Sequence, residues 1–106
     1  MSMYVYVTRR TDALDDAGPQ ITRDEWVNLV ATDADLSLEE PPDKFPNDKT
    51  IYAAWKNYPG GYTAWFGWAH GNIEVKGLDD ALLGKLQAFA KALDARIVSE
   101  EGEEFS

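Results

Sequence analysis

A chain of 106 residues in which 44% are hydrophobic, with four Trp, five Tyr and four Phe, has the apolar content of one buried core and too much of it for a disordered chain. Nineteen Asp and Glu against ten Lys and Arg leave a net charge of -9, so nucleic acid, whose phosphates are held by Lys and Arg, is excluded as a natural partner. The absence of cysteine excludes disulfides, thiol catalysis and the usual Cys/His zinc sites, and nothing else in the sequence implies a metal or cofactor.

There is no basic start followed by an apolar run, and no apolar stretch approaches the roughly 18 residues that span a membrane, so the expected location is the cytoplasm, with no membrane partner. Tyr4 to Thr8 (YVYVT) alternates β-branched and aromatic residues and predicts a first strand, apolar on both faces and therefore central. Residues 11–20 read as a loop from their Asp, Gly and Pro content. Thr22 predicts the cap of a first helix: Glu25 three residues on completes a capping box, and Ile21 before the cap is placed to staple onto Trp26. Trp26, Leu29 and Val30 form its inner stripe, Asp24 and Glu25 suit its positive end, and it should stop near Ala31 or Thr32.

From Asp33 to Lys49 the chain holds three prolines, six acids and two lysines, a loop with room for a short edge strand at Asp35 to Leu38. Thr50 to Trp55 predicts a strand, and KNYPGG turns it into a hairpin over Gly61 to Gly77. Gly71-Asn72 suits the centre of a type II′ turn, which would set Trp68 opposite Val75. Phe66, Trp68, Ile73 and Val75 then share one face, and Trp65, Gly67, Ala69, Glu74 and Lys76 the other.

A second helix begins at Asp79, with Leu82, Leu86, Phe89 and Leu93 on one stripe. Arg96 to Ser99 returns as a last strand, and the acidic end beyond residue 100 should fray. The order β-α-β-β-β-β-α-β predicts a single α+β domain over residues 1–106, a mainly antiparallel sheet of five or six strands with two helices on one face.

Chemistry is hard to place on these residues. His70 is the sole histidine, and no Ser, Asp or Glu is tied to it by a recognisable spacing, so an exposed turn histidine is the simpler reading. YPGGY lacks the Lys-Ser or Lys-Thr of a phosphate loop. Asp33, Asp35, Glu39 and Glu40 lack the glycine and final bidentate Glu of a calcium loop. No catalytic residue is assigned, and the chain reads as a non-enzyme.

What remains is surface. Trp55 and Trp65 on neighbouring strands, with Tyr58 and Tyr62 between them, are expected to gather at one end or on the helix-free face, either as packing or as a binding patch. Rimmed by Asp33, Asp35, Glu39 and Glu40, such a patch would suit a basic protein, the acids steering it and the aromatics holding it.

The opening YVYVTRR, the segment ITRDEWVNLVATDADL, the block AWFGWAHGNIEVKGLDDALLGKLQAFAKALDA and the ending EEGEEF together resemble a group of small acidic bacterial proteins. In size, acidity and lack of an export signal these are similar to immunity proteins, which neutralise a cognate toxin delivered by a competitor. The resemblance implies an immunity protein or antitoxin whose partner is a basic toxin, and it carries no catalytic residue with it. The alternative is a small-molecule-binding or enzymatic domain that uses the open face of the sheet near His70 or the tryptophans. A homodimer through a strand edge or the tryptophan face is also open.

Overall fold

A computed structural model describes residues 3–13, 15 and 17–105. Six strands and two helices follow in the order β1 (Tyr4–Thr8), α1 (Arg23–Thr32), β2 (Leu36–Leu38), β3 (Ile51–Trp55), β4 (Ala64–Ala69), β5 (Asn72–Lys76), α2 (Asp80–Leu93) and β6 (Arg96–Ser99), the α+β arrangement expected from the pattern. The 11–20 segment contains neither helix nor strand among its described residues; residues 14 and 16 of that predicted loop, and residues 1, 2 and 106 of the predicted domain, lie outside the described residues.

All strands join one sheet in the order β2-β3-β4-β5-β1-β6, and every neighbouring pair is antiparallel. Sequential strands β2 to β5 form a meander. β1 then lies between β5 and β6, which explains why both faces of YVYVT are apolar or aromatic: it is an interior strand. β5 and β6 are each antiparallel to β1 and hence parallel to each other, and α2 links them across it.

Strand alternation sorts the side chains as the sequence implies. Val5, Val7, Ala53, Phe66, Ile73 and Val75 are buried beneath the helices, where the ring of Phe66 meets Phe89 edge-on at 5.2 Å and Phe89 meets Trp26 edge-on at 5.8 Å. Leu82, Leu86, Phe89 and Leu93 of α2 are all buried in this core. Four such side chains contribute roughly 6–12 kcal/mol before conformational entropy is subtracted.

The first helix is anchored as its sequence predicts. Thr22 Oγ1 accepts from the Glu25 amide at 3.1 Å, Glu25 accepts from the Thr22 amide at 3.0 Å, and Ile21 and Trp26 are fully buried. Two of the indole N–H groups find carbonyls: Trp26 donates to Ile51 O at 3.0 Å and Trp68 to Ile21 O at 2.8 Å.

The hairpin turn differs from the expectation by one residue. Its central pair is His70-Gly71, both left-handed at φ 55° and 80°, which defines a type I′ turn and pairs Trp68 with Ile73 rather than with Val75. The physical reason lies outside the hairpin. The Gly71 carbonyl accepts from the Ile21 amide at 2.9 Å, and Gln20 and Arg10 close over Gly71 so tightly that a Cβ there would lie 2.8 Å from Gln20 Cβ. Contact with the chain entering α1 requires glycine at the second turn position, and histidine accepts the first. Because the partner shifts by two residues, the faces are unchanged.

The acidic end does not simply fray. The Ser99 amide donates to Glu103 O at 2.8 Å, the Phe105 amide to Ile97 O at 2.8 Å, and Phe105 packs against the core, so residues 103–105 cover the free edge of β6.

Candidate functional site

Both helices lie on the Val5, Phe66 and Ile73 side of the sheet. The opposite face carries no helix among the described residues and presents Tyr4, Tyr6, Tyr52, Trp65 and Glu74. At the His70 end of this face, residues 10–13 fold over it: Asn72 Nδ2 donates to Ala13 O at 2.7 Å, and Arg96 donates to the carbonyls of Arg10 and Thr11.

The predicted aromatic group is split by strand parity. Trp55 pairs with Ala64 and Trp65 with Ala54, so the two indoles project from opposite faces. Trp55 belongs to the helix side, stacked on Phe66 at 6.4 Å and edge-on to Tyr58 at 5.5 Å. Loop 56–63 nevertheless wraps the end of the sheet and brings the set partly back together. Tyr58 and Tyr62 have ring centroids 5.1 Å apart, and Tyr58, Tyr62 and Trp65 line one open cleft of about 210 Å³ with Lys76. Tyr58 is buried and its hydroxyl donates to Asp79, the cap of α2, so its role is to hold loop 56–63 against that helix. Tyr62 is 65% exposed, and Trp65, like Trp55 on the other face, is partly so.

The four predicted rim acids are each matched by a lysine. Lys85 of α2 meets Asp33 at 2.8 Å and Asp35 at 3.0 Å while lying 5.0 Å above the Trp55 ring. Burial alone would lower its pKa, but the hydrogen bonds with Asp33 and Asp35 outweigh that and raise it. Glu39 pairs with Lys56 at 2.7 Å, and Glu40 with Lys44 at 2.8 Å. No sequence spacing pointed to Lys85, which reaches its acids from about fifty residues away. Four acids against three lysines leave this rim with little of the chain's charge excess.

Glu74 has the opposite character. It lies in the middle of the open face, opposite Gly67 on β4 and Tyr6 on β1, and its carboxylate makes no hydrogen bond or ion pair among the described residues. Burial, then repulsion from Asp48, push its pKa up, while His70 opposes the shift. Asp48 itself is occupied: it accepts from the Thr50 amide at 2.9 Å and the Tyr52 hydroxyl at 2.8 Å, and Thr50 foremost holds its pKa down to about 2.

The exposed His70 borders an open cleft of about 440 Å³ with Asn47, Asp48, Lys49, Thr50, Trp68 and Ala69. Among the described residues, no group of three Asp, Glu or His side chains is arranged to hold a metal ion, and no helix is long and apolar enough to cross a membrane.

No family model, no curated protein and no solved structure matches this chain.

Proposed function

We propose that this chain is an interaction protein that binds a basic protein partner, and that its class is the immunity protein or antitoxin that neutralises a toxin. The observation that carries the reading is the helix-free face, where Tyr52 and Tyr6 share a row with Glu74, whose carboxylate makes no hydrogen bond or ion pair among the described residues, and Tyr4 and Trp65 lie on the same face beside them. Tyrosine and tryptophan give large contact areas at low cost in conformational entropy and dominate many interfaces. A net charge of -9 favours encounter with a cationic surface before contact is made.

Within the predicted contact set, Trp65 and Tyr62 supply accessible apolar surface. Tyr58 backs Tyr62, Trp55 lies on the helix side with Asp33 and Asp35 bridged by Lys85 above its ring, and Glu39 and Glu40 are each paired with a lysine. The test is affinity capture from the native strain followed by expression of the captured protein. A basic partner recovered in equal amount, whose expression alone arrests growth and whose effect is relieved by this chain, is the expected result. Recovery of no stoichiometric partner would sink the proposal.

A second reading is favoured by one observation, the cleft beside His70, whose size suits a small molecule. Its discriminating test is a ligand screen read at the His70 and Ala69 resonances, with no saturable shift expected under the interaction reading.

A further inference from the structure

Across the middle of the open face, one row of the sheet runs Tyr52, Gly67, Glu74, Tyr6, each residue directly opposite the next on the neighbouring strand. Strand spacing places the Cα atoms of the two tyrosines about 14 Å apart, three intervals of about 4.8 Å. Gly67 has no side chain, and the Tyr52 ring leans over it, with Cε1 3.2 Å from where a Cβ would stand. The Tyr52 hydroxyl is tied down by Asp48 at 2.8 Å, and the Tyr6 ring is stacked on Tyr4 at 6.4 Å. Glu74 therefore rises between two rings that are each fixed from behind.

The carboxylate in this setting lacks what it needs. Glu25 is held by Arg9, Asp33 and Asp35 by Lys85, Glu39 by Lys56, Glu40 by Lys44 and Glu104 by Arg96. Glu74, partly withdrawn from water, forms no ion pair and accepts no hydrogen bond among the described residues, and His70 acts on it only as a nearby charge. Lys76, on the same face two residues on, is exposed and forms no ion pair with it. A polar group placed this way costs free energy until a donor reaches it.

The complement of an acid between two tyrosine rings is a flat cation. Guanidinium supplies parallel N–H donors to both carboxylate oxygens while its faces lie against aromatic rings, a combination that ammonium does not match. A divalent ion is poorly served, because it requires several oxygen ligands and the nearby Asp48 is already engaged by Thr50 and Tyr52.

We infer that Glu74, flanked by Tyr52 and Tyr6, is the receptor for an arginine side chain of the partner protein. This deepens the interaction reading and rests on it for the source of the arginine.

The probe is N-acetyl-arginine amide, titrated into the ¹⁵N-labelled chain, with the neutral citrulline analogue as control. Saturable shifts at the Gly67, Glu74 and Tyr6 amides are expected with the arginine probe and not with citrulline. Glu74→Gln should weaken the probe at least about tenfold, and Tyr6→Leu should weaken it several-fold. Asp80→Asn, on α2 on the far side of the sheet, should leave binding unchanged. Equal binding of citrulline, equal binding by a folded Glu74→Gln protein, or no saturation at all would overturn the assignment. A captured partner that binds Glu74→Gln as tightly as the parent protein would overturn it while leaving the interaction reading intact. Saturable, Glu74-dependent arginine binding in a chain that captures no partner would uphold the arginine site and overturn its assignment to a partner protein.

Discussion

Arg9 and Glu25 form a two-pronged ion pair, Nη1 to Oε1 at 2.7 Å and Nη2 to Oε2 at 2.6 Å, and the same guanidinium donates to Leu93 O through Nε at 2.9 Å and Nη2 at 2.6 Å. One side chain just past β1 thus ties the start of α1 to the end of α2. Because it satisfies an otherwise open helix-end carbonyl as well as a carboxylate, it should matter more than an isolated surface pair. Arg9→Met should cost about 1–3 kcal/mol in urea unfolding at pH 7, and Glu25→Gln less, since the carbonyl contacts survive it.

The same pair sets an acid limit. The hydrogen bond from Arg9 foremost lowers the Glu25 pKa to about 2, so its contribution is complete above the ordinary Glu value of 4.5 and is lost as pH falls from there toward 2. Urea midpoints measured from pH 6 to pH 2 should decline through that window in the parent protein, and less steeply in Glu25→Gln.

Glu74 has the reverse sign. Its folded pKa is raised, with burial as the main cause, so its ionised form weighs against folding above that raised value and the penalty disappears as pH falls through it to the unfolded value. Glu74→Gln should therefore be more stable than the parent at pH 7, with the difference closing below about pH 4.5. Thermal unfolding at the two pH values checks this. Stabilisation by removing a residue needed for binding is the expected mark of a site where stability is traded for function.

The hairpin turn gives a backbone test. His70→Asn creates Asn-Gly, the preferred pair where both central residues are left-handed, and should stabilise by about 0.3–1 kcal/mol. Gly71→Ala should destabilise by about 2 kcal/mol, because its φ of 80° disfavours a side chain and Gln20 occupies the space. Equal stability of the two variants would contradict the turn described.

The two tryptophans should separate cleanly. Trp55→Ala removes the ring beneath Lys85 and beside Phe66, and should cost about 3 kcal/mol; Trp65→Ala, on the face that no helix covers among the described residues, should cost about 1 kcal/mol or less. Partner binding should respond in the opposite order once the loss of stability is discounted.

Much of this architecture is legible in local spacing. Thr22 and Glu25 are three residues apart, so one helical turn suffices to close the capping box, and Leu82, Leu86, Phe89 and Leu93 fall on one stripe in any helix they form. The faces of the hairpin follow equally from alternation, which is why Phe66 and Ile73 could be assigned to the core even with the turn placed one residue late. Trp55 and Trp65 mark the limit of that reasoning. Their strands are neighbours, but only the register of β3 on β4 decides whether the two indoles share a face.

The sequence by itself determined the elements, their order and which side chains line the core, because these depend on spacings within a few residues. The tertiary structure decided the charges. Lys85 reaches Asp33 and Asp35, and Arg9 reaches Glu25 and Leu93, only once distant segments are brought together. Glu74 is left without an ion-pair partner among the described residues by the same folding, since the strands beside it contribute a glycine and a tyrosine at the positions directly opposite it.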